Sequence, residues 1–152
     1  FNETDNIVNK FFTNNSQAWP CWSYSNHDSK RIASRINKNP KTIMKKLLSL
    51  HGNICIYQGE ELGLTESIVE YKDLQDPFGK NFWPEFKGRD GCRSPMPWNS
   101  NEINLGFSNS TPWLPVNKDY TQKSINIQSQ DTDSMLNFTK EQIQKRKKGI
   151  AT

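Results

Sequence analysis

Three groups of residues in this chain have side chains suited to chemistry. The first is Asn26-His27-Asp28, where an imidazole adjoins a carboxylate. Such a pair can steady developing positive charge, orient a hydroxyl or bind a metal; equally, it can be a helix N-cap aspartate beside a surface histidine. The second is Glu60-Glu61, adjacent acids of the kind that cap a following segment or pair with arginine. By spacing alone Asp28 and Glu60 could form a carboxylate pair at one mouth, the arrangement used to cleave glycosidic bonds, but any two strand-end acids would qualify. The third runs from Gly88 to Trp98 (GRDGCRSPMPW). Its glycines and prolines fix a loop, Arg89 and Arg93 supply forked donors, and Trp98 offers an apolar face. A pyranose ring has hydroxyls at its edge and C–H groups on its face, so it needs this mixture; a rigid surface turn with an Arg–Asp pair has the same composition.

The elements around these groups suggest how they are held. Residues 19–25 and 53–58 are rich in aromatic and β-branched side chains and read as two strands. Between them Ile43, Met44, Leu47, Leu48 and Leu50 recur at helical spacing. That predicts a helix over about 40–51, with Pro40 in its first turn and Gly52 at its end. Strand, helix, strand in one short stretch is a βαβ unit with parallel strands, whose catalytic groups gather at the C-terminal strand ends. Asp28 and Glu60 follow those ends. Ile7, Val8, Phe11 and Phe12 are spaced for one side of a short helix in residues 1–18. Residues 59–131 read as loop, dense in Gly, Pro, Asn and Trp. A last helix is expected over about 133–148, capped by Asp133 or Ser134, with Leu136, Phe138 and Ile143 inward and Gly149 past its end.

Two parallel strands and one helix cannot bury both faces of a sheet, so the unit calls for neighbours. Composition agrees. The 152 residues are only 33% hydrophobic yet 11% aromatic, too aromatic for a disordered tail and too short for a whole (β/α)₈ barrel of about 250 residues. The net charge of +4 lies largely in Lys45-Lys46 and Lys145–Lys148, read as solvated helix faces; with no nucleic-acid module, nucleic-acid binding is not expected. Cys21, Cys55 and Cys92 are far apart, which disfavours a zinc ribbon or a disulfide framework. No apolar run is long enough for a membrane span. Neither a cofactor nor a metal is indicated.

In order, the stretches AWPCWSYSNHD (18–28), RIASR (31–35), ICIYQGEELG (54–63), DPF (76–78), FWPEFKGRDGCRSPMPW (82–98), GFS (106–108) and WLPV (113–116) resemble the α-glucosidase and oligo-1,6-glucosidase branch of the α-amylase family of glycoside hydrolases. The resemblance implies an α/β fold, the C-terminal portion of a (β/α)₈ TIM barrel. The two strands would be strands 7 and 8, followed by a long loop and the last barrel helix. The N-terminal barrel part and the C-terminal β-domain would be absent from these residues.

It also implies retaining hydrolysis of non-reducing-end α-linked glucose in short oligosaccharides. Asp28 falls on the position of the carboxylate that stabilises the transition state, His27 on a sugar-binding histidine, and Arg89 on a loop arginine closing the first subsite. That arginine's fork suits a bidentate contact with an acid on another loop. Trp98 and Phe107 are candidate pocket walls. The nucleophile Asp and general acid Glu would lie upstream, so the chain alone would be inactive, or completed by a separately encoded N-terminal barrel part. A transglycosylating or isomerising relative (trehalose synthase or sucrose isomerase type) and a non-catalytic remnant of a decayed gene are the alternatives. A bacterial cytoplasm is the expected setting. Asn53-Ile54 and Ser94 depart from the branch's usual small residue plus proline and its usual Thr.

Overall fold

The computed structural model describes residues 2–15 and 17–149. Helix α1 (Asn2–Asn14) opens with Glu3 and Asp5 in its first turn, where acids complement the helix dipole. Phe11 meets Trp22 and Phe12 meets His51 edge to face, at centroid distances of 5.7 and 5.5 Å.

Two strands follow the helix in space: β1 (Cys21–Trp22) and β2 (Asn53–Ile54), parallel, with Cys21 opposite Asn53 and Trp22 opposite Ile54. The Asn53 N–H donates to Pro20 O at 2.7 Å and the Cys55 N–H to Trp22 O at 2.8 Å. The ladder is shorter than the expected 19–25 and 53–58. Each strand has one partner among the described residues, and past Trp22 the chain bends as Ser23 Oγ donates to Ser25 O. The pairing starts at Gly52, which has φ +112° and leaves only 2.4 Å between a notional Cβ and Pro20 O. No other residue could sit there without moving the strands apart.

After the short turn α2 (Ile32–Arg35), helix α3 (Pro40–Ser49) forms the crossover. Asn39 caps it by accepting the Lys41 N–H, and Ile43, Met44, Leu47 and Leu48 are buried along one face. Its other end stops at Ser49, three residues before Gly52. Short helical pieces interrupt the stretch read as loop: α4 (Pro77–Asn81), α5 (Ile125–Gln130) and several 3₁₀ turns. They lack helical apolar periodicity because long-range hydrogen bonds hold them. Buried Gln128 of α5, for example, donates to Leu62 O and Lys123 O and accepts the Leu136 N–H. Tyr120 is fully buried beside Leu62, Leu64 and Leu136; its hydroxyl donates to Thr65 O and accepts from Ser67 Oγ.

Helix α6 (Met135–Lys147) packs on α3 and is capped by Ser134, not Asp133, through the Asn137 N–H. Leu136, Thr139 and Gln142 are its buried residues, while Phe138 and Ile143 are half-buried. Its basic last turn is not wholly a solvated face. Arg146 turns inward, and Nη1 donates to Leu48 O and Leu50 O while Nη2 donates to Gly52 O. A single guanidinium therefore ties α6 to the end of α3 and the entry to β2. Among the described residues no helix is long and apolar enough to cross a membrane.

Candidate active site

The chain leaving β1 turns tightly at Asn26, whose Oδ1 accepts the Asp28 N–H at 2.9 Å. Buried Ser25 accepts the Ile32 N–H through its hydroxyl and anchors the far side of this turn to α2. His27 and Asp28 are thereby presented outward. The Asp28 carboxylate is half-exposed and meets three side chains. Arg89 Nη1 donates to Oδ1 at 2.9 Å, Arg93 Nη2 to the same oxygen at 3.0 Å, and His27 Nε2 lies 3.3 Å from Oδ2. Arg93 also donates from Nε to His27 O at 2.8 Å, which fixes the backbone of the turn.

Arg89 is itself held from behind. Asp76, whose side chain has no exposure, takes Arg89 Nε on Oδ2 at 2.8 Å and Arg89 Nη2 on Oδ1 at 2.9 Å. It also accepts the Arg89 N–H at 2.9 Å and, as the N-cap of α4, the Phe78 N–H at 3.1 Å. Asp90, equally buried, accepts the Gln75 and Asp76 N–H groups on one oxygen at 2.6 and 2.8 Å. The two loop segments touch at Gly79 and Gly88. A Cβ on Gly88, which has φ +79°, would sit 2.9 Å from Gly79 Cα and 3.2 Å from Asp76 Oδ2. The hydrogen bonds from Arg89, aided by the backbone N–H groups, hold the Asp76 carboxyl well below the usual carboxylate range. In return Asp76 raises the Arg89 guanidinium further. The result is a fixed cation facing a half-exposed carboxylate.

Two hollows flank this cluster. One, of about 630 Å³, is lined by Asp28, Glu66, Ile68, Phe86, Lys87 and Arg89. The other, of about 480 Å³, holds Trp98 and Phe107 with Glu61, Arg93, Met96 and Trp113. Trp98 and Phe107 therefore share a wall with each other, and Arg93 stands between that wall and Asp28. Glu60 points elsewhere, while Glu61 stays at the edge of the second hollow. Glu60 is buried, its Oε2 accepting the Tyr57 N–H at 2.8 Å, and it lines an interior gap with Tyr24, Met44 and Leu47. Glu61 accepts the Gly59 N–H. Burial pushes both carboxyls up. The spacing-based pairing of Asp28 with Glu60 is thus not made: the strand-end backbone takes Glu60 inward as a cap. Among the described residues no group of three His, Cys, Asp or Glu side chains could hold a metal ion.

The structure brings His27, Asp28 and Arg89 together, and sets Trp98 and Phe107 one side chain away. In the sequence Asp76 and Asp90 carry no chemical signal of their own, and Arg93 reads only as a loop donor. Asp76-Pro77 is a legible helix start, but its partner Arg89 lies 13 residues on and only folding shows that they meet.

A family model of the α-amylase catalytic domain matches residues 1–152. The chain belongs to the α-amylase family. Within the family it falls in the α-glucosidase and oligo-1,6-glucosidase branch. It is 44% identical over 137 residues to a probable α-glucosidase of Rhizobium meliloti (strain 1021), covering 86% of this chain and 25% of that protein. It is 35% identical over 156 residues to probable oligo-1,6-glucosidase 2 of Bacillus subtilis (strain 168), covering 86% and 28%. Among solved structures, an α-glucosyl transfer enzyme superposes with a TM-score of 0.86 at 39% identity, covering 94% of this α-amylase-family chain and 28% of the other. The chain thus spans about a quarter of the length of these relatives. The solved structures it superposes on are α-amylase-family barrel enzymes.

Proposed function

We propose that these residues form the strand-7 and strand-8 portion of a retaining α-glucosidase barrel acting on non-reducing-end glucose of short α-linked oligosaccharides. The observation that carries this reading is Arg89, locked by buried Asp76 and aimed at half-exposed Asp28 past the ends of two parallel strands. In retaining hydrolysis a carboxylate attacks the anomeric carbon, a carboxylic acid protonates the leaving oxygen, and water releases the glycosyl intermediate. Asp28 serves as the third carboxylate, stabilising the oxocarbenium-like ring. His27 hydrogen-bonds a sugar hydroxyl, Arg89 closes the subsite, and Trp98 and Phe107 wall the adjoining space. Nucleophile and general acid come from residues outside these 152, so the isolated chain is inactive. Likeness to a probable α-glucosidase at 44% identity and to a probable oligo-1,6-glucosidase at 35% supports the substrate class.

The test is p-nitrophenyl-α-glucoside hydrolysis by the natural polypeptide that carries these residues, by its Asp28→Asn variant and by the 152-residue chain alone. Turnover by the first only is the expected result. Full activity in Asp28→Asn sinks the assignment of Asp28, and turnover by the isolated chain sinks the claim that two carboxylates lie elsewhere. Glucosyl transfer is the second reading, favoured by the likeness to the transfer enzyme. It predicts new glucosides rather than free glucose when an alcohol acceptor is added.

A further inference from the structure

We propose that Asp76 is the positioning residue for Arg89, acting on the sugar only through that arginine; this rests on the reading that Arg89 and Asp28 face the substrate. Asp76 has no exposure and could touch no ligand itself. Its two oxygens accept four hydrogen bonds: from Phe78 N–H, Arg89 N–H, Arg89 Nε and Arg89 Nη2. Two of them fix the backbone on either side of the contact, and two fix the plane of the guanidinium. Rotation about the long arginine side chain is removed, and Nη1 is the nitrogen left for the site, where it reaches Asp28 Oδ1.

Asp90 extends the support by one more layer. By accepting the Gln75 and Asp76 N–H groups it sets the turn from which Asp76 projects. The contact of Gly79 with Gly88 lets the two segments approach closely enough for the fork to close.

The geometry also explains why two carboxylates share one arginine without equivalent roles. Asp76 takes both parallel N–H groups of the fork and is buried; Asp28 takes the remaining corner and is half-exposed. If Asp76 loses its charge, the fork is free to swing onto Asp28 as a bidentate pair and cover the carboxylate that the sugar needs. Asp76→Asn therefore acts on the site twice, by releasing Arg89 and by masking Asp28.

A double-mutant cycle in the natural polypeptide tests this. Asp76→Asn is expected to lower kcat/KM for p-nitrophenyl-α-glucoside by about 10²-fold, the scale of a misplaced contact group. Arg89→Met should do the same. In the Arg89→Met background, Asp76→Asn should leave kcat/KM unchanged while raising Tm, because it removes a buried carboxylate that has lost its cation. A second fall of about ten-fold or more in that background, or wild-type activity in Asp76→Asn alone, overturns the proposal.

Absence of turnover in the unaltered polypeptide would instead strike at the proposed function. A readout independent of turnover then decides the positioning role. The Arg89 Nε–H should give an exchange-protected ¹⁵N NMR signal in the parent chain that disappears in Asp76→Asn. The same protected signal in both would overturn it.

Discussion

At the scale of single residues, two buried acids a short distance apart in the chain shift in opposite directions, because Asp76 has the Arg89 cation against it and Glu60 has apolar walls. Glu60 is buried against apolar neighbours, and its carboxyl is raised by that burial. The folded chain therefore holds this proton more tightly than the unfolded chain, and the stability linked to it is complete below the ordinary glutamate pKa of about 4.3. That contribution is lost as pH rises through the raised folded value. Glu60→Gln keeps an acceptor for the Tyr57 N–H but removes the titration, so its Tm should gain on the parent's as pH rises from about 4.3 toward neutrality. A constant difference across that range would show that Glu60 does not carry the effect. Asp76 runs the other way. Its depressed carboxyl contributes stability above the ordinary aspartate value of about 3.9, lost as pH falls toward the folded value. Asp76→Asn should therefore cost stability at neutral pH, with the deficit shrinking in acid melts. Neither behaviour can be read from Glu60-Glu61 or Asp76-Pro77 as letters, because each depends on a partner or a wall supplied from elsewhere in the chain.

At the scale of elements, α3 is the part best defended by packing. Leu47 is only 1% exposed, on the buried face of the helix that it shares with Ile43, Met44 and Leu48. Leu47→Ala should cost about 2–5 kcal/mol in denaturant unfolding, the range for a buried leucine that leaves a cavity. A cost under about 1 kcal/mol would mean that α3 does not rest on this face. The helix was legible because its apolar residues keep one period and Pro40 announces its start. Helix α5 was not, having six residues and a buried glutamine at its centre. The strands were legible as apolar runs, yet their paired length was not, since pairing depends on neighbours. Gly52→Ala should disrupt that pairing: its Cβ meets Pro20 O and its φ is +112°. Loss of amide-exchange protection at Asn53 and Cys55 is the measurement that checks it.

At the scale of the whole molecule, much of the candidate site was legible as motif, and His27, Asp28 and Arg89 do converge. The support beneath them was not, because Asp90, Asp76 and Arg89 meet through a loop with no period to read. Long-range ties also close the fold. Arg146→Met removes three hydrogen bonds to the carbonyls of Leu48, Leu50 and Gly52 and should cost about 3 kcal/mol in urea melts, with the helical signal of α6 largely kept. Those partners are separated from Arg146 by 98, 96 and 94 residues. A ribosome adding about 5–20 residues per second makes the entry to β2 roughly 5–20 s before the guanidinium that pins it. During synthesis the tie between α6 and the entry to β2 therefore forms late, and a chaperone that shields nascent chains would have those seconds in which to act on the unlatched end of α3.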